Sequence, residues 1–180
     1  MKRPALLLAA LGVAFNVAYA VWAAEPLGFK GQVIGASNVA ITQDPRFDCR
    51  MVHTPTADQI CTLRPKEQET IAGTRVSSLY YFYDRARLTG ITIGLPETHF
   101  QAVTRALEAK YGPALASVER VKNLKGDDFE NRTLNWRQGN ARLEARRYAG
   151  RLDQSLIRLV DEAAAERIRQ RRATAPGQDL

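Results

Sequence analysis

The side chains best suited to binding a ligand are arginines, and they are concentrated toward the end of the chain. Residues 132–172 hold 11 arginines against 5 carboxylates, whereas residues 25–131 hold 13 basic and 13 acidic side chains. A guanidinium group donates several hydrogen bonds in one plane, so clustered arginines favour phosphate or carboxylate partners. The charge distribution therefore predicts an anion-binding surface in this segment.

Strand periodicity predicts that four of these arginines share one face of a sheet. Gly139-Asn140 is a two-residue hairpin signal, and pairing across it places Trp136 opposite Leu143. On the other face, the same register collects Arg137, Arg142, Arg146 and, on the next strand, Arg158. We expect a phospholipid headgroup, a lipopolysaccharide phosphate or an acidic protein surface as the partner, with peripheral membrane contact in the first two cases.

A compositional explanation competes with this prediction. Arginine makes up 20 of the 26 basic residues, so the chain also fits a composition in which arginine is the ordinary solvated cation. Nucleic acid is a poor partner, because no aromatic side chains are interleaved on that face as stacking platforms. The sequence thus leaves a solvated face and an anion-binding face as the alternatives.

The N-terminus has the pattern of a secretory signal. Met1-Lys2-Arg3 is followed by the uncharged stretch 4–20, which ends in the small-x-small sequence Ala18-Tyr19-Ala20. We expect residues 1–24 to be a signal peptide cleaved near residues 20 to 23, and the mature chain to be periplasmic or secreted. The alternative is an uncleaved anchor, because the apolar stretch is long enough to span a membrane.

Cys49 and Cys61 are the only cysteines of the chain. Two thiols in an exported protein usually pair, and the segment between them has the composition of a turn. The pair lacks the C-x-x-C spacing of a redox centre. We therefore expect a structural disulfide between Cys49 and Cys61.

Residues for nucleophilic catalysis or metal binding are scarce. The only histidines are His53 and His99, and the sequence around Ser37 lacks the second glycine of the G-x-S-x-G motif. We therefore predict that Ser37 caps a helix. The carboxylates of residues 127–130 lack the spacing of a calcium loop, so a solvated loop is expected there. No catalytic residue, metal site or cofactor is predicted.

Hairpins and one clear helix account for most of the remaining chain. Val76–Tyr83 and Leu88–Leu95 are predicted to form adjacent strands, and Pro96 opens a helix in which apolar residues recur every three or four positions. The apolar positions of that helix are Phe100, Val103, Leu107 and Tyr111. The other predicted elements are a short helix from Ser37 to Ile41, strands Phe47–Val52, Ile60–Leu63, Arg132–Gln138, Ala141–Tyr148 and Ser155–Val160, a polar connection Glu119–Asp128, and a final helix from Asp161 to Arg172.

Runs of hairpins with intervening helices predict an α+β fold, in which an antiparallel sheet has its helices packed on one face as a two-layer sandwich. We expect residues 25–172 to form a single α+β domain, because a chain of this length can bury most of its apolar surface in one core. Residues 173–180 are expected to be a frayed tail.

Several short motifs occur together in the chain. They are Phe29-Lys30-Gly31, Ile34-Gly35-Ala36-Ser37, the Cys49/Cys61 pair, the hairpin YYFYDRARLTGITI and Lys110-Tyr111-Gly112-Pro113. This combination resembles small exported proteobacterial two-cysteine α+β proteins of unknown function. More loosely, the helix followed by a three-stranded meander is similar to envelope modules of the outer-membrane assembly lipoprotein and β-lactamase-inhibitor-protein type. The chain lacks a lipoprotein cysteine after its apolar stretch, so no outer-membrane anchor is implied.

These observations predict an exported periplasmic binding or interaction module of the cell envelope that is not catalytic. Two alternatives stay open. One is a small carrier of an apolar ligand, with Tyr80, Tyr81 and Phe82 lining its pocket. The other is a small secreted enzyme of unknown class.

The signal and the cysteine pair together predict the mass of the mature protein. We expect it to begin near Val21 or Ala24 and to weigh two hydrogens less than its reduced form. Intact-mass spectrometry of the exported protein, before and after reduction, measures both quantities. A full-length chain or two free thiols would contradict the prediction.

Overall fold

The computed structural model of the protein describes residues 25–54, 57–123 and 125–174. The predicted signal peptide, residues 1–24, lies outside the described residues, and so do residues 175–180 of the predicted tail. The described chain forms an α+β structure dominated by antiparallel strands. None of the helices in these residues is long and apolar enough to cross a membrane.

Eight strands of the described chain form the main antiparallel sheet, and two small hairpins stand beside it. The strands are β1 (Gly28–Phe29), β2 (Gln32–Val33), β3 (Phe47–Thr54), β4 (Ala57–Leu63), β5 (Thr70–Ile71), β6 (Thr74–Arg75), β7 (Ser78–Asp84), β8 (Arg87–Pro96), β9 (Leu115–Lys122), β10 (Asp128–Gln138), β11 (Ala141–Arg146) and β12 (Gln154–Asp161). The order across the main sheet is β3-β4-β7-β8-β12-β11-β10-β9. The helices are α1 (Val39–Thr42), α2 (Phe100–Tyr111) and α3 (Glu162–Thr174).

A continuous row of side chains forms the centre of the core. From β3 to β10, the strand registers align Cys49, Cys61, Tyr81, Ile91, Leu159, Leu143 and Trp136. All of them except Cys49 are buried. We call the side of the sheet that carries this row the core face, and the opposite side the outer face.

The first two residues of the row form the predicted disulfide. Cys49 and Cys61 are direct partners of β3 and β4, with their Cα atoms 4.0 Å apart. The bond joins an edge strand to its neighbour and closes a short loop, which stabilises the fold by about 3 kcal/mol in the chain-entropy picture. The prediction of a structural disulfide is confirmed.

Both long hairpins expected from the sequence are present. β7 pairs with β8, and β10 pairs with β11 across Gly139-Asn140. As predicted, Trp136 lies opposite Leu143. Gly139 has a positive φ of 56°, which a residue without a side chain adopts at little cost in this tight turn. Local turn chemistry therefore sets the register of this part of the sheet.

Helix α2 covers part of the core face. Phe100, Val103 and Leu107 are buried and belong to the core cluster, as their spacing predicted. Beyond the helix, the Trp136 Nε1–H donates a hydrogen bond to the Gly112 carbonyl at 2.8 Å. This bond ties the end of α2 to β10, so the helix is fixed over the strands of the hairpin that follows it.

Helix α3 lies against the outer face, so the prediction that the helices pack on one face is not confirmed. Its buried residues Ala164 and Ile168 are outside the core cluster, and they border a cleft with Phe82 and Val160 of the outer face. A helix with one large apolar side chain has little apolar surface to bury in the core. Asp161 caps α3 as predicted, because its Oδ1 accepts a hydrogen bond from the Ala164 amide at 3.1 Å.

Several predicted boundaries are wrong, and β10 begins at Asp128 rather than at Arg132, so most of the loop expected at residues 127–130 is strand. In place of the polar connection Glu119–Asp128, the segment Leu115–Lys122 forms β9 and pairs with β10 without a register shift. An edge strand exposed on both faces needs no apolar alternation, so its charged sequence resembles a loop. Helix α2 also begins at Phe100 rather than at Pro96, because a 3-10 turn at Glu97–His99 comes first.

Two tyrosines of the core are kept neutral by burial. Burial raises the pKa of Tyr83 to about 12, and it also raises the pKa of Tyr81. The Tyr83 hydroxyl oxygen is buried and has no hydrogen-bond partner among the described residues. A buried hydroxyl without a partner lowers the free energy of unfolding.

We expect Tyr83→Phe to raise the free energy of unfolding by about 1 kcal/mol, because the substitution removes the unpaired hydroxyl. Tyr111→Phe is the control, because the Tyr111 hydroxyl donates a hydrogen bond to the Gly28 carbonyl at 2.9 Å. Loss of this hydrogen bond in Tyr111→Phe should lower the free energy of unfolding by about 1 kcal/mol. Urea denaturation of the three proteins measures the differences, and a destabilised Tyr83→Phe protein would show that the hydroxyl is satisfied.

The raised pKa of Tyr83 makes the free energy of unfolding of the wild-type protein depend on pH, and Tyr83→Phe removes this dependence. Tyrosine ionises near pH 10 in an unfolded chain, whereas Tyr83 ionises near pH 12 in the folded protein. The stabilisation from keeping it neutral is therefore complete below about pH 10 and is lost as the pH rises toward about 12. The wild-type protein should lose stability more steeply than Tyr83→Phe in this range.

Candidate functional site

The four arginines predicted for one face of the sheet lie together on the outer face. Arg137 is the direct partner of Arg142 across β10 and β11. Arg158 of β12 is the partner of Glu144, and Arg146 follows Glu144 by two residues on the same face. We call these four guanidinium groups the arginine face.

Two carboxylates link three of the arginines. Glu162, the first residue of α3, accepts hydrogen bonds from Arg137 Nη1 at 2.9 Å and from Arg142 Nε at 3.0 Å. Glu144 lies 2.6 Å from Arg142 Nη1 and 3.2 Å from Arg146 Nη2. Positive and negative side chains therefore alternate along the face, from Arg137 to Arg146.

The charge of the arginine face is reduced but not cancelled. Four guanidinium groups and two carboxylates leave a net charge of +2. Arg142 and Glu144 are only 26% and 16% exposed, so water screens their pair less than a fully exposed one. Arg158 is exposed and forms no ion pair with the described residues. The exposed N–H groups of Arg137, Arg146 and Arg158 are thus the ones a partner can reach.

Counting charges along the chain includes Glu144 and Glu162 but does not place them beside the arginines, for different reasons. Glu144 lies two residues from both Arg142 and Arg146, so strand alternation alone is enough to place it between them. Glu162 could not be found in this way. It reaches Arg137 only because α3 turns back over the outer face, which depends on tertiary packing.

A cleft of about 280 Å³ separates α3 from the outer face beside Arg158. Phe82, Val160 and Ile168 form apolar parts of its wall, and Arg158 and Thr92 also line it. An exposed guanidinium group therefore lies next to a small apolar surface. This pairing suits a ligand that joins an anionic group to a short apolar segment.

Comparison with known proteins finds no matching family model, curated protein or solved structure. The function is therefore inferred from the geometry of the chain. The resemblance to small exported proteobacterial proteins stays a prediction.

The other residues singled out in the sequence are not assembled into a site. His99 is exposed in the turn before α2, and the side chain of His53 lies outside the described residues. Ser37 Oγ accepts a hydrogen bond from the Val39 amide at 3.4 Å, at the start of α1. Within the described residues, no three side chains of His, Cys, Asp or Glu are grouped to hold a metal ion.

The apolar carrier site expected from Tyr80, Tyr81 and Phe82 does not form. Alternate residues of a strand face opposite sides of the sheet. Tyr81 is therefore buried in the core, whereas Tyr80 and Phe82 lie on the outer face with their ring centroids 6.4 Å apart. The three side chains do not line one pocket.

We expect Glu144→Gln to lower the free energy of unfolding by about 1 kcal/mol, because two guanidinium groups lose their shared carboxylate in a partly buried setting. Asp153→Asn is the matched control, because its pair with Arg151 is solvated on both sides, at 63% and 67% exposure. That variant should be as stable as the wild type. Chemical denaturation measures both effects, and equal losses would mean that burial adds nothing to the Glu144 pairs.

Proposed function

We propose that this protein is an exported binding module of the periplasm that holds an anionic component of the cell envelope on its arginine face, without catalysing a reaction. The observation that carries the proposal is the placement of Arg158. Its exposed guanidinium group lies beside an apolar cleft and next to three arginines that share two carboxylates.

The partner that fits this arrangement best is a phospholipid or a lipopolysaccharide. Both molecules join phosphate groups to acyl chains, and a phosphate can accept two parallel hydrogen bonds from one guanidinium group. Arg158 would bind the phosphate, and a short part of the acyl chain would cover Phe82 and Ile168 in the cleft. An acidic protein surface would use the charges of the face but not its apolar cleft.

The carboxylates of the face orient its arginines. A guanidinium group has five N–H donors, so an arginine that contacts one or two carboxylates keeps donors for a ligand. Glu144 and Glu162 hold Arg142 between them and restrain the side chains of Arg137 and Arg146. Side chains that are already ordered lose less conformational entropy when a partner binds.

Export is supported by two independent features. A disulfide such as Cys49–Cys61 persists in an oxidising compartment and is rare in the cytosol. The basic, apolar and small-residue segments of residues 1–24 follow the order of a secretory signal. Together they favour the periplasm, where lipid phosphates are abundant.

Vesicle binding tests the proposal. We expect the mature protein to co-sediment with phosphatidylglycerol vesicles and not with phosphatidylcholine vesicles at low salt. Binding should weaken as salt is added, because the Debye length falls from about 30 Å at 0.01 M to about 8 Å at 0.15 M. The double variant Arg146→Gln/Arg158→Gln should bind about tenfold more weakly, since it removes two of the three guanidinium groups that a partner can reach.

The matched control for this variant is Arg75→Gln/Arg105→Gln. It removes the same charge from exposed positions on β6 and α2, away from the arginine face. This protein should bind vesicles as the wild type does. Equal losses in the two double variants would mean that net charge alone drives binding, and binding that ignores salt would exclude an anionic partner.

A further inference from the structure

Strand β9 is a free edge of the main sheet and is exposed along its length. In the described chain it pairs with β10 alone. Seven of its eight residues are exposed and Val121 is half-buried. Leu115 and Val118 are 78% and 60% exposed, although both are large and apolar. An edge of this kind offers unpaired backbone groups to another strand.

A hydrogen bond of β10 shows which backbone groups of β9 face the free edge. The Arg132 carbonyl accepts a bond from the Arg147 amide, on the β11 side, at 3.0 Å. In antiparallel strands the amide and carbonyl of one residue point to the same neighbour, and the next residue points to the other. Arg132 is the partner of Val118, so the Val118 amide and carbonyl point away from β10. The residues of β9 that share this direction are Ala116, Arg120 and Lys122.

We propose that a second copy of this chain pairs with β9 through its own β9, antiparallel, with Val118 on the two-fold axis. The two sheets then continue into each other across the subunits. Ala116 lies opposite Arg120 of the partner subunit, and the outward amides and carbonyls form about six hydrogen bonds across the axis. The interface is self-complementary, as a two-fold axis requires.

The side chains favour this register over its neighbours. A two-fold axis perpendicular to the sheet places outer-face residues of one copy directly opposite outer-face residues of the other. The axis must therefore lie at a residue position and not between two residues. If the axis passed through Glu119 or Arg120, two like charges would lie directly opposite each other. If it passed through Ser117, Leu115 would lie opposite Glu119 of the partner subunit.

With the axis at Val118, every large apolar residue of β9 meets another. Val118 lies opposite Val118 of the partner subunit on the core side of the sheet. On the outer side, Leu115 lies opposite Val121 of the partner subunit. The charged residues Glu119 and Arg120 lie opposite serine and alanine, so no like charges are in direct register.

The opposite edge of the sheet is less suited to such pairing. β3 pairs with β4 through a register shift between Met51 and Thr54. A bulge bends its strand and interrupts the row of backbone groups, which protects an edge from pairing. β9 has no such shift over its eight residue pairs. Of the two edges of the main sheet, β9 is therefore the one with a regular row of backbone groups for pairing with another strand.

Light scattering coupled to size-exclusion chromatography tests the proposal on the natively processed protein. We expect a dimer that dissociates on dilution. Val118→Pro should raise the dimer dissociation constant by about tenfold or more, because proline removes an axial amide that β10 does not use. Val118→Lys should act in the same direction by placing two ammonium groups opposite each other. Met51→Lys, at the exposed position of β3, is the control and should leave the dimer unchanged.

Cysteine cross-linking tests the register itself. Val118→Cys should give a disulfide-linked dimer under mild oxidation, because directly opposed residues of this kind have Cα atoms about 5.5 Å apart. Leu115→Cys is the control. Position 115 is the more exposed one, but its two copies would lie about 20 Å apart along the strands.

Three results would overturn the proposal. They are a monomer at the highest soluble concentration, a dimer that both Val118 variants leave intact, and equal cross-linking of the two cysteine variants.

Discussion

The width of the sheet is the constraint on which the rest of the structure depends. Eight strands at a spacing of about 4.8 Å make a layer about 34 Å wide, whereas a helix with its side chains is about 10–12 Å across. Helix α2 therefore cannot cover the core face alone. Leu27 lies at one side of the sheet beside Gln138 of β10, whereas Ile41 of α1 and Ile71 of β5 add to the cover at the other side, toward β3. The rings of Phe47 and Tyr81 also meet edge to face there, with centroids 5.5 Å apart.

The surfaces available for interaction follow from the same constraint. Toward β9 nothing in the described chain replaces the missing cover, so that strand is solvated on both faces and keeps a free edge. Among the residues that the structure describes, only the narrow helix α3 covers part of the outer face. Beside that helix, β10, β11 and β12 can carry charged residues, and Glu144 and Glu162 moderate the repulsion between the arginines. The arginine face and the exposed faces of β9 thus lie in regions that the helices on the two sides of the sheet leave uncovered.

Features with local signals could be predicted from the sequence, and features set by distant packing could not. The turn at Gly139-Asn140 fixes the pairing of its two strands and hence the shared face of Arg137 and Arg142. The spacing of apolar residues in α2 identifies its buried side in the same way. By contrast, the position of α3 depends on the packing of Ile168 against the outer face. This packing brings Glu162, at the start of the helix, within hydrogen-bond distance of the arginines. β9 carries no apolar periodicity because neither of its faces is buried.

The order of strands in the main sheet also affects when the protein can fold. β12 is the last strand in the described part of the chain, yet it lies in the middle of the sheet, between β8 and β11. In the described chain, the half formed by β3, β4, β7 and β8 meets the half formed by β11, β10 and β9 only through β12. The pairing of β12 with β8 therefore joins distant parts of the chain and cannot form until residues 154–161 have been synthesised. Under the export proposed above, a chain that is translocated while it is being synthesised would complete this sheet only on the far side of the membrane.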